Sequence, residues 1–385
     1  MTRARSSKGG PGQGDPSSAP PPRFTPKGAA LALKQLLYAS PFYHLTLGGK
    51  APVDLRLVPP RFRPGDVARG TAVMGGEFAL LFHPCRLGDQ PWRNVPEIPA
   101  QAVALHGFSW LGDLLSLNTD EALRLARHHV NGWHENFGRW QALAWRPDVL
   151  GTRLSSWLSA YPMLSREHQK TRRIMLESMM VQARHLGRSY SSMATDGRAF
   201  NALKGLLEAA ICLPGANYLL DPGLTSLSRE IERQIRPDGG HFERNPSLQL
   251  SILENCLEIR VLLAEAHIET PPALQGGIDR MVPMLRAFRH GDGRLALFNG
   301  SGEDSRSSID IVLTHAEVRG KALTSAPHTG FQRLSAGRTV IIADTGKPPP
   351  GPGRGTHAGT LSFEMSFAKD RLIVNCGGID TNRCT

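Results

Sequence analysis

Cysteine is scarce and unpatterned. Cys85, Cys212, Cys256, Cys376 and Cys384 are scattered along 385 residues with no Cys-x-x-Cys pair. An odd count at irregular spacing argues against both a disulfide framework and a zinc site. Cys212 and Cys256 lie in apolar helical contexts and read as buried thiols. Long apolar runs are missing too, so no membrane span is predicted. The first residues, 1–28, are rich in Pro, Gly, Ser and Arg and lack the apolar stretch of a secretory leader. They read as a disordered basic tail, which places the chain in the cytoplasm on sequence alone. Acidic side chains are outnumbered, 34 Asp and Glu against 45 Lys and Arg, for a net charge of +11. Such a balance suits a polyanionic partner: nucleic acid, an anionic membrane surface or an acidic polysaccharide. Generic basicity, common in Arg-rich chains, is the alternative. No G-x-S-x-G or H-E-x-x-H occurs. The loop from Lys347 to Gly355 has glycines, but its prolines remove the amide donors that a phosphate loop needs.

Residues 29–100 read as an irregular lead-in segment, with a short apolar helix from Ala29 to Ser40 and glycine-broken, strand-like runs such as Phe78 to Phe82. Helical periodicity dominates residues 101–318. Thr119-Asp120-Glu121 marks an N-terminus for a helix over Asp120 to Asn136. Leu150, Leu154, Trp157, Leu158 and Tyr161 recur at i, i+3 and i+4 spacing over Val149 to Leu164. Ser165 is predicted to cap the next helix, with Glu167 in its first turn. Further helices are predicted over Gly197 to Cys212, Leu224 to Ile235, Ser247 to Ala266 and Pro271 to Phe288, with tight turns at Pro237-Asp238-Gly239-Gly240 and Gly291-Asp292-Gly293. Helix pairs in one continuous run suggest an α/α toroid or an α-solenoid, and no strict repeat period is visible. From residue 319 to 385 the pattern turns to strands: Gly330 to Leu334, Thr339 to Ala343, and a hairpin of Thr360 to Met365, a Lys369-Asp370 turn and Leu372 to Val374. A sandwich usually needs about seven strands, so this β-domain is expected to be only the start of one, in a chain cut short at its C-terminus.

The hairpin, with His357-Ala358-Gly359-Thr360-Leu361-Ser362-Phe363-Glu364 and Leu372-Ile373-Val374-Asn375-Cys376-Gly377, resembles the C-terminal domain of the heparinase II/III-like family. Leu105 to Leu111, Trp145-Arg146-Pro147 through Trp157, and Gln234 to Arg244 resemble further segments of that family, so that the likeness covers roughly residues 40–380. The resemblance implies a multidomain α+β fold. An N-terminal α/α toroid, an incomplete barrel of helix pairs, is followed by an antiparallel β-sandwich domain, here partial. It implies a polysaccharide lyase that cleaves an acidic, uronic-acid-containing glycan by β-elimination in the cleft between the two parts. It also implies a cell-envelope or periplasmic setting as the alternative to the cytoplasm.

That reaction needs a base for the C5 proton, a group that neutralises the uronate carboxylate, and an acid for the leaving oxygen. The family's usual Asn-His pair falls at Gly197-Arg198, its tyrosine at Leu248, and its H-x-H-x-D motif at 355–359, where only His357 remains. Asn375 stands where the resemblance implies a metal-ligating aspartate. No cofactor is therefore expected; a structural divalent metal such as zinc occurs in the family, but its ligand set is not intact here. The catalytic candidates are His357, Tyr190 and Arg198. Arg198 could neutralise a carboxylate, Tyr190 could serve as a base if an arginine lowers its pKa, and His357 sits at a loop-to-strand junction. The substrate-binding candidates are His241, Glu243 and Arg244 in the interhelical turn, Trp133 and Trp140 as aromatic platforms, and Asn201. Each has a structural alternative: a histidine at a domain interface, a loop anchor, a helix cap, a core tryptophan. The expected partner is an acidic polysaccharide and not a specific nucleic acid. A non-catalytic glycan-binding or envelope-assembly protein on the same scaffold is the first rival reading, and a basic nucleic-acid binder the second.

Overall fold

The computed structural model describes residues 26–81, 83–192, 195–347 and 359–375. Two compact units emerge, Met1–Thr46 and Leu47–Thr385. The first carries α1 (Pro26–Ala39) and nearly all of α2 (Pro41–Leu47). Each opens on a proline, which loses no helical hydrogen bond in the first turn. Leu33, Leu36 and Leu37 of α1 and Phe42 and Leu45 of α2 are exposed. No helix among the described residues is long and apolar enough to cross a membrane.

The lead-in of the second unit is more ordered than the sequence suggested. It holds α3 (Val67–Met74) and a hairpin of β1 (Glu77–Leu80) and β2 (His83–Arg86). The Asp66 carboxylate caps α3, accepting from the N–H groups of Ala68 and Arg69 at 2.9 and 3.1 Å. Gly76, at φ +76°, returns the chain against Gly88 so closely that a Cβ would lie 2.7 Å from its Cα. The preceding strap is stapled across the helices by charge. Arg63 pairs with Glu254, the N–H of Phe62 donates to Glu258 at 3.0 Å, and Lys204 pairs with Glu258 in turn.

Helices then follow in series: α4 (Pro99–Gly107), α5 (Leu111–Leu115), α6 (Asp120–Phe137), α7 (Pro147–Ser165), α8 (Gln169–Ser189), α9 (Arg198–Cys212), α10 (Leu220–Gln234), α11 (Pro246–Glu265), α12 (Pro272–Ala287) and α13 (Arg306–Ala316). Thr119 caps α6 as expected, accepting from Ala122 N–H at 3.2 Å. Ser165 does not cap α8. It is the last residue of α7, and Glu167 lies in the link at φ +58°. α7 and α9 meet at Gly151 and Gly205, where a Cβ on Gly205 would lie 2.3 Å from the Gly151 carbonyl oxygen. Arg153 is buried whole. Its Nε donates to Gln182 at 2.8 Å, its Nη1 to the carbonyls of His106 and Ala144 at 3.0 and 2.9 Å, and its guanidinium lies 4.0 Å from the Trp133 ring centre.

Five antiparallel strands complete the unit in sequence order: β3 (Ser325–Ala326), β4 (Phe331–Ala336), β5 (Thr339–Asp344), β6 (Phe363–Phe367) and β7 (Asp370–Ile373). The last hairpin starts later than predicted because Leu361 sits at φ +71°, and its turn falls at Ala368-Lys369. Alternation gives the sheet two faces. Phe331, Ile342, Glu364 and Ser366 are buried, whereas Leu334, Phe363, Phe367 and Ile373 are exposed on the other side.

Two turns of the same form join helices to sheet. After α10, Arg236 N–H donates to Gly240 O and Gly239 N–H to Arg236 O; after α12, His290 N–H donates to Arg294 O and Gly293 N–H to His290 O. Gly239 and Gly293 share φ +83°. Each turn has an aspartate that both shapes it and reaches the sheet. Asp238 accepts from Thr329 N–H at 2.7 Å, and Asp292 accepts from Arg371 Nε at 2.9 Å. At the second turn His290 and Glu364 are both fully buried, with Nε2 and Oε2 2.9 Å apart. Burial pushes the Glu364 carboxyl up, but hydrogen bonds from His290 and from the N–H groups of Asn375 and Leu297 outweigh it, and the net shift is downward.

Glu364→Ala should therefore cost about 3 kcal/mol, since it leaves His290 and two buried N–H groups without their acceptor. Denaturant unfolding measures the loss, and a change below about 1 kcal/mol would show that the joint does not depend on this residue.

Candidate functional site

The positions that the resemblance brings together do converge, but not with the expected chemistry. Gly197 precedes α9 and Leu248 sits in the first turn of α11. A Cβ on Gly197 would lie 2.8 Å from both Leu248 methyl carbons, so the leucine fills the space over the glycine. Neither residue carries a titratable group.

Arg198 is part-exposed and paired with a carboxylate of its own chain. Its guanidinium grips Asp196 with Nε–Oδ1 at 2.9 Å and Nη2–Oδ2 at 2.6 Å. Burial raises the Asp196 carboxyl, yet the bonds from Arg198 bring it below its ordinary value. Tyr190 opens a 3-10 turn (Tyr190–Ser192) after α8 and is half-buried. The Arg198 guanidinium that was to activate it is held by Asp196 instead.

His241 is sealed inside rather than facing a cleft. The N–H of Glu243 donates to its Nδ1 at 3.2 Å, which leaves Nε2–H to donate to Gln234 Oε1 at 2.7 Å. Burial, the largest influence, lowers its pKa to about 3. Glu243 accepts from the Gly197 N–H at 2.8 Å, and burial raises its carboxyl against that bond. Arg244 is buried and paired with Asp344 of β5, so the turn docks the sheet. Trp133 is fully buried, with its Nε1–H donating to His106 Nδ1 at 3.1 Å, and cannot stack on a sugar. Trp140 is half-buried in the link between α6 and α7. Asn201 accepts from Asn255 Nδ2 at 2.9 Å and bridges α9 to α11. His357 lies outside the described residues, as do Cys376 and Cys384.

Among the described residues, no three His, Cys, Asp or Glu side chains converge as metal ligands would. At the position where the resemblance implies a ligating aspartate, the Asn375 N–H donates to Glu364 at 3.0 Å and its side-chain nitrogen is buried without an acceptor.

A feature missed in the sequence lies on the other side of the Arg244 joint. A cavity of about 390 Å³ opens between the turn after α10 and the sheet, with Arg236, Phe242, Arg244, His328, Thr329 and Lys347 in its wall. Among the described residues, no carboxylate lines it. Arg236 and Lys347 come from opposite sides of the joint, and no local pattern links them. Asp196 was also missed, although it stands two residues before Arg198 and that spacing is a local signal for the pair.

Comparison with known proteins fits this arrangement. The heparinase II/III N-terminus family matches residues 126–317, and the heparinase II/III-like C-terminal family matches residues 318–385. A curated relative, FtsZ-localized protein C of Caulobacter vibrioides (strain NA1000 / CB15N), is 31% identical over 340 residues, 87% of this chain and 58% of the relative. The solved structure of heparinase III superposes with a TM-score of 0.64 at 15% identity over 91% of this chain and 63% of that one. A heparan sulfate lyase HepC mutant from Pedobacter heparinus gives 0.56 at 17% over 91% and 62%. These likenesses show the toroid-plus-β-domain fold. The chain spans about three-fifths of the length of these relatives.

Buried neutral imidazoles set a pH dependence. Burial lowers His106 to about 3, with Arg153 adding to it, and lowers His129 to about 4. With His241 they bind protons in the unfolded chain near pH 6.5 but not in the folded one, so their contribution is intact above that pH and is lost as pH falls. At pH 5 each costs about 2 kcal/mol. The raised carboxyls of Glu243 and Asp344 act in the opposite direction. The histidine share is isolated by comparing the wild type with His241→Gln in melts from pH 7 to pH 5. The variant should lose less stability over that range; an identical loss would mean that His241 is not held neutral.

Proposed function

Because this chain belongs to the heparinase II/III-like family, we propose that it uses the lyase fold to bind an acidic, uronic-acid-containing glycan without cleaving it. The packing of Leu248 on Gly197 carries this reading. Elimination needs a base at the uronate C5 and a cation or strong donors on the carboxylate. A leucine cannot take a proton, and the guanidinium of Arg198 is already matched by Asp196. The net charge of +11 and the cationic cavity supply attraction for a polyanion without supplying chemistry.

Incubation of the folded chain with a panel of uronic-acid polysaccharides should give no rise in ultraviolet absorbance from unsaturated uronate. Binding to the same polymers should be measurable by calorimetry and should weaken as salt is added. A rising absorbance would make the chain a lyase, and equal affinity for DNA at matched ionic strength would favour the nucleic-acid reading.

A second reading has its own support. Identity to the FtsZ-localized relative is 31%, about twice the 15% shared with heparinase III. On that likeness the chain serves at the division site. Cosedimentation with FtsZ polymers tests it: recovery in the pellet only when FtsZ is polymerised supports the role, and none removes it.

A further inference from the structure

We propose that the exposed apolar face of α1 and α2 is a docking surface for an anionic phospholipid bilayer, on which this helix pair lies flat without crossing it. Neither the glycan nor the division-site reading is needed for it. The place where the chain puts its apolar surface and its charge is enough.

Leu33, Leu36 and Leu37 recur at i, i+3 and i+4, which sets them on one stripe of α1. They are 69, 71 and 60% exposed, and Phe42 and Leu45 of α2 are 78 and 73% exposed. Large apolar side chains left open singly need no explanation, but five within residues 33–45 make a patch that has to be covered. The two helices are built as a pair. Tyr38 and Tyr43 pack with ring centres 4.6 Å apart, and Tyr43 N–H donates to Ser40 O at 3.1 Å across the Ser40-Pro41 link. Tyr43 is buried, so the pair has a packed side as well as an open one.

The charge of the same stretch selects what covers the patch. Residues 1–53 carry seven Lys and Arg and one acidic residue, Asp15, so more than half of the net charge of +11 falls there. From Pro16 to Val53 there is no carboxylate side chain to be repelled by an anionic surface. Lys34 follows Leu33 by one position, about 100° round the helix, and so flanks the apolar stripe. Its Nζ lies 5.6 Å from the Tyr38 ring centre. A lysine on that flank lays its methylenes along the apolar edge and lifts its ammonium to a lipid phosphate. A second copy of the chain would cover the leucines too, but it would bring an equally basic stretch against this one, and like charge opposes that. A bilayer of anionic lipid meets both demands: its acyl boundary takes the leucines and its phosphates answer the cations. α1 has 14 residues, about 21 Å of helix, short of the roughly 30 Å of a hydrocarbon core. It therefore lies in the interface, with the exposed Gln35 on the side away from the stripe.

The test is vesicle flotation with the full chain. The probes are phosphatidylcholine vesicles and the same vesicles with about 30% phosphatidylglycerol. The wild type should partition to the anionic vesicles at least about tenfold better than to the zwitterionic ones, and added salt should shrink that difference. Leu33→Gln with Leu36→Gln and Leu37→Gln keeps the charge and uses a good helix former, and should lower partitioning to anionic vesicles at least about tenfold. Lys27→Gln with Lys34→Gln keeps the apolar stripe and should lower it about fivefold. The control is Leu334→Gln with Leu372→Gln, which removes exposed leucines from the sheet and should change it less than about twofold. Melting curves confirm that each variant is folded. No flotation of the wild type, equal flotation with both lipids, or an equal loss in the control overturns the assignment. Sedimentation equilibrium identifies the rival occupant: a dimer that the three leucine substitutions dissolve, in a chain that ignores vesicles, would give the face to a second copy.

Discussion

Arg244 is buried with its charge met by Asp344, and the joint between helices and sheet is built around that pair. A guanidinium inside a protein is tolerable only when its charge and its donors are answered. Here Asp344 answers the charge, and the carbonyls of Lys347 and Gly330 take two further N–H groups. The backbone makes room for it. A Cβ on Gly346 would lie 2.6 Å from Arg244 Nη2, and one on Gly330 would lie 2.3 Å from the Gly346 Cα. Two glycines at one crossing therefore allow the helical part to insert a charged side chain between strands. Apolar contacts alone would not fix this register, because they are indifferent to small slides, whereas a forked donor is not.

The second joint repeats the device with a different pair. His290 and Glu364 take the place of Arg244 and Asp344, and Gly291 lies against the Ala368 carbonyl, as Gly240 lies against Thr329, with no room for a Cβ at either. Both turns follow the end of a helix and place their aspartate at the corresponding point. An aspartate at that point caps its own turn and still has an oxygen for the sheet. The sheet is thus held at two places, by interactions that are directional at each. The cavity beside the first joint has walls from both parts, and their separation is fixed by these bonds.

The helices were legible because their apolar residues recur at helical spacing, and Thr119 was legible as a cap because its pattern is local. Ser165 misled because a serine followed by a glutamate also occurs inside or after a helix; α7 runs through Pro162 to Ser165 before the chain turns at Glu167. The lead-in looked irregular because its elements are short and broken by glycines, and hairpin pairing is set by partners rather than by period. At the site, the resemblance assigned Gly197 and Leu248 each to a catalytic position of the family, and the structure brings them into contact. For Trp133 and His241 the sequence left a surface and a core role open, and both are buried. Aromatic and imidazole side chains serve surface and core alike, and burial is decided by elements far away in the chain. Arg236 and Lys347 meet only because the sheet docks on the turn.

Binding and catalysis make different demands on a site. Catalysis requires interactions that strengthen in the transition state, while affinity requires only interactions present in the ground state. In this chain the groups that would act on a developing carbanion are replaced: leucine for a proton acceptor, and an arginine already neutralised by Asp196 for a carboxylate clamp. Arg236 and Lys347 stand beside Phe242 in the wall of the cavity and form no ion pair among the described residues. On the glycan-binding reading, binding energy at such a site appears as affinity and not as rate.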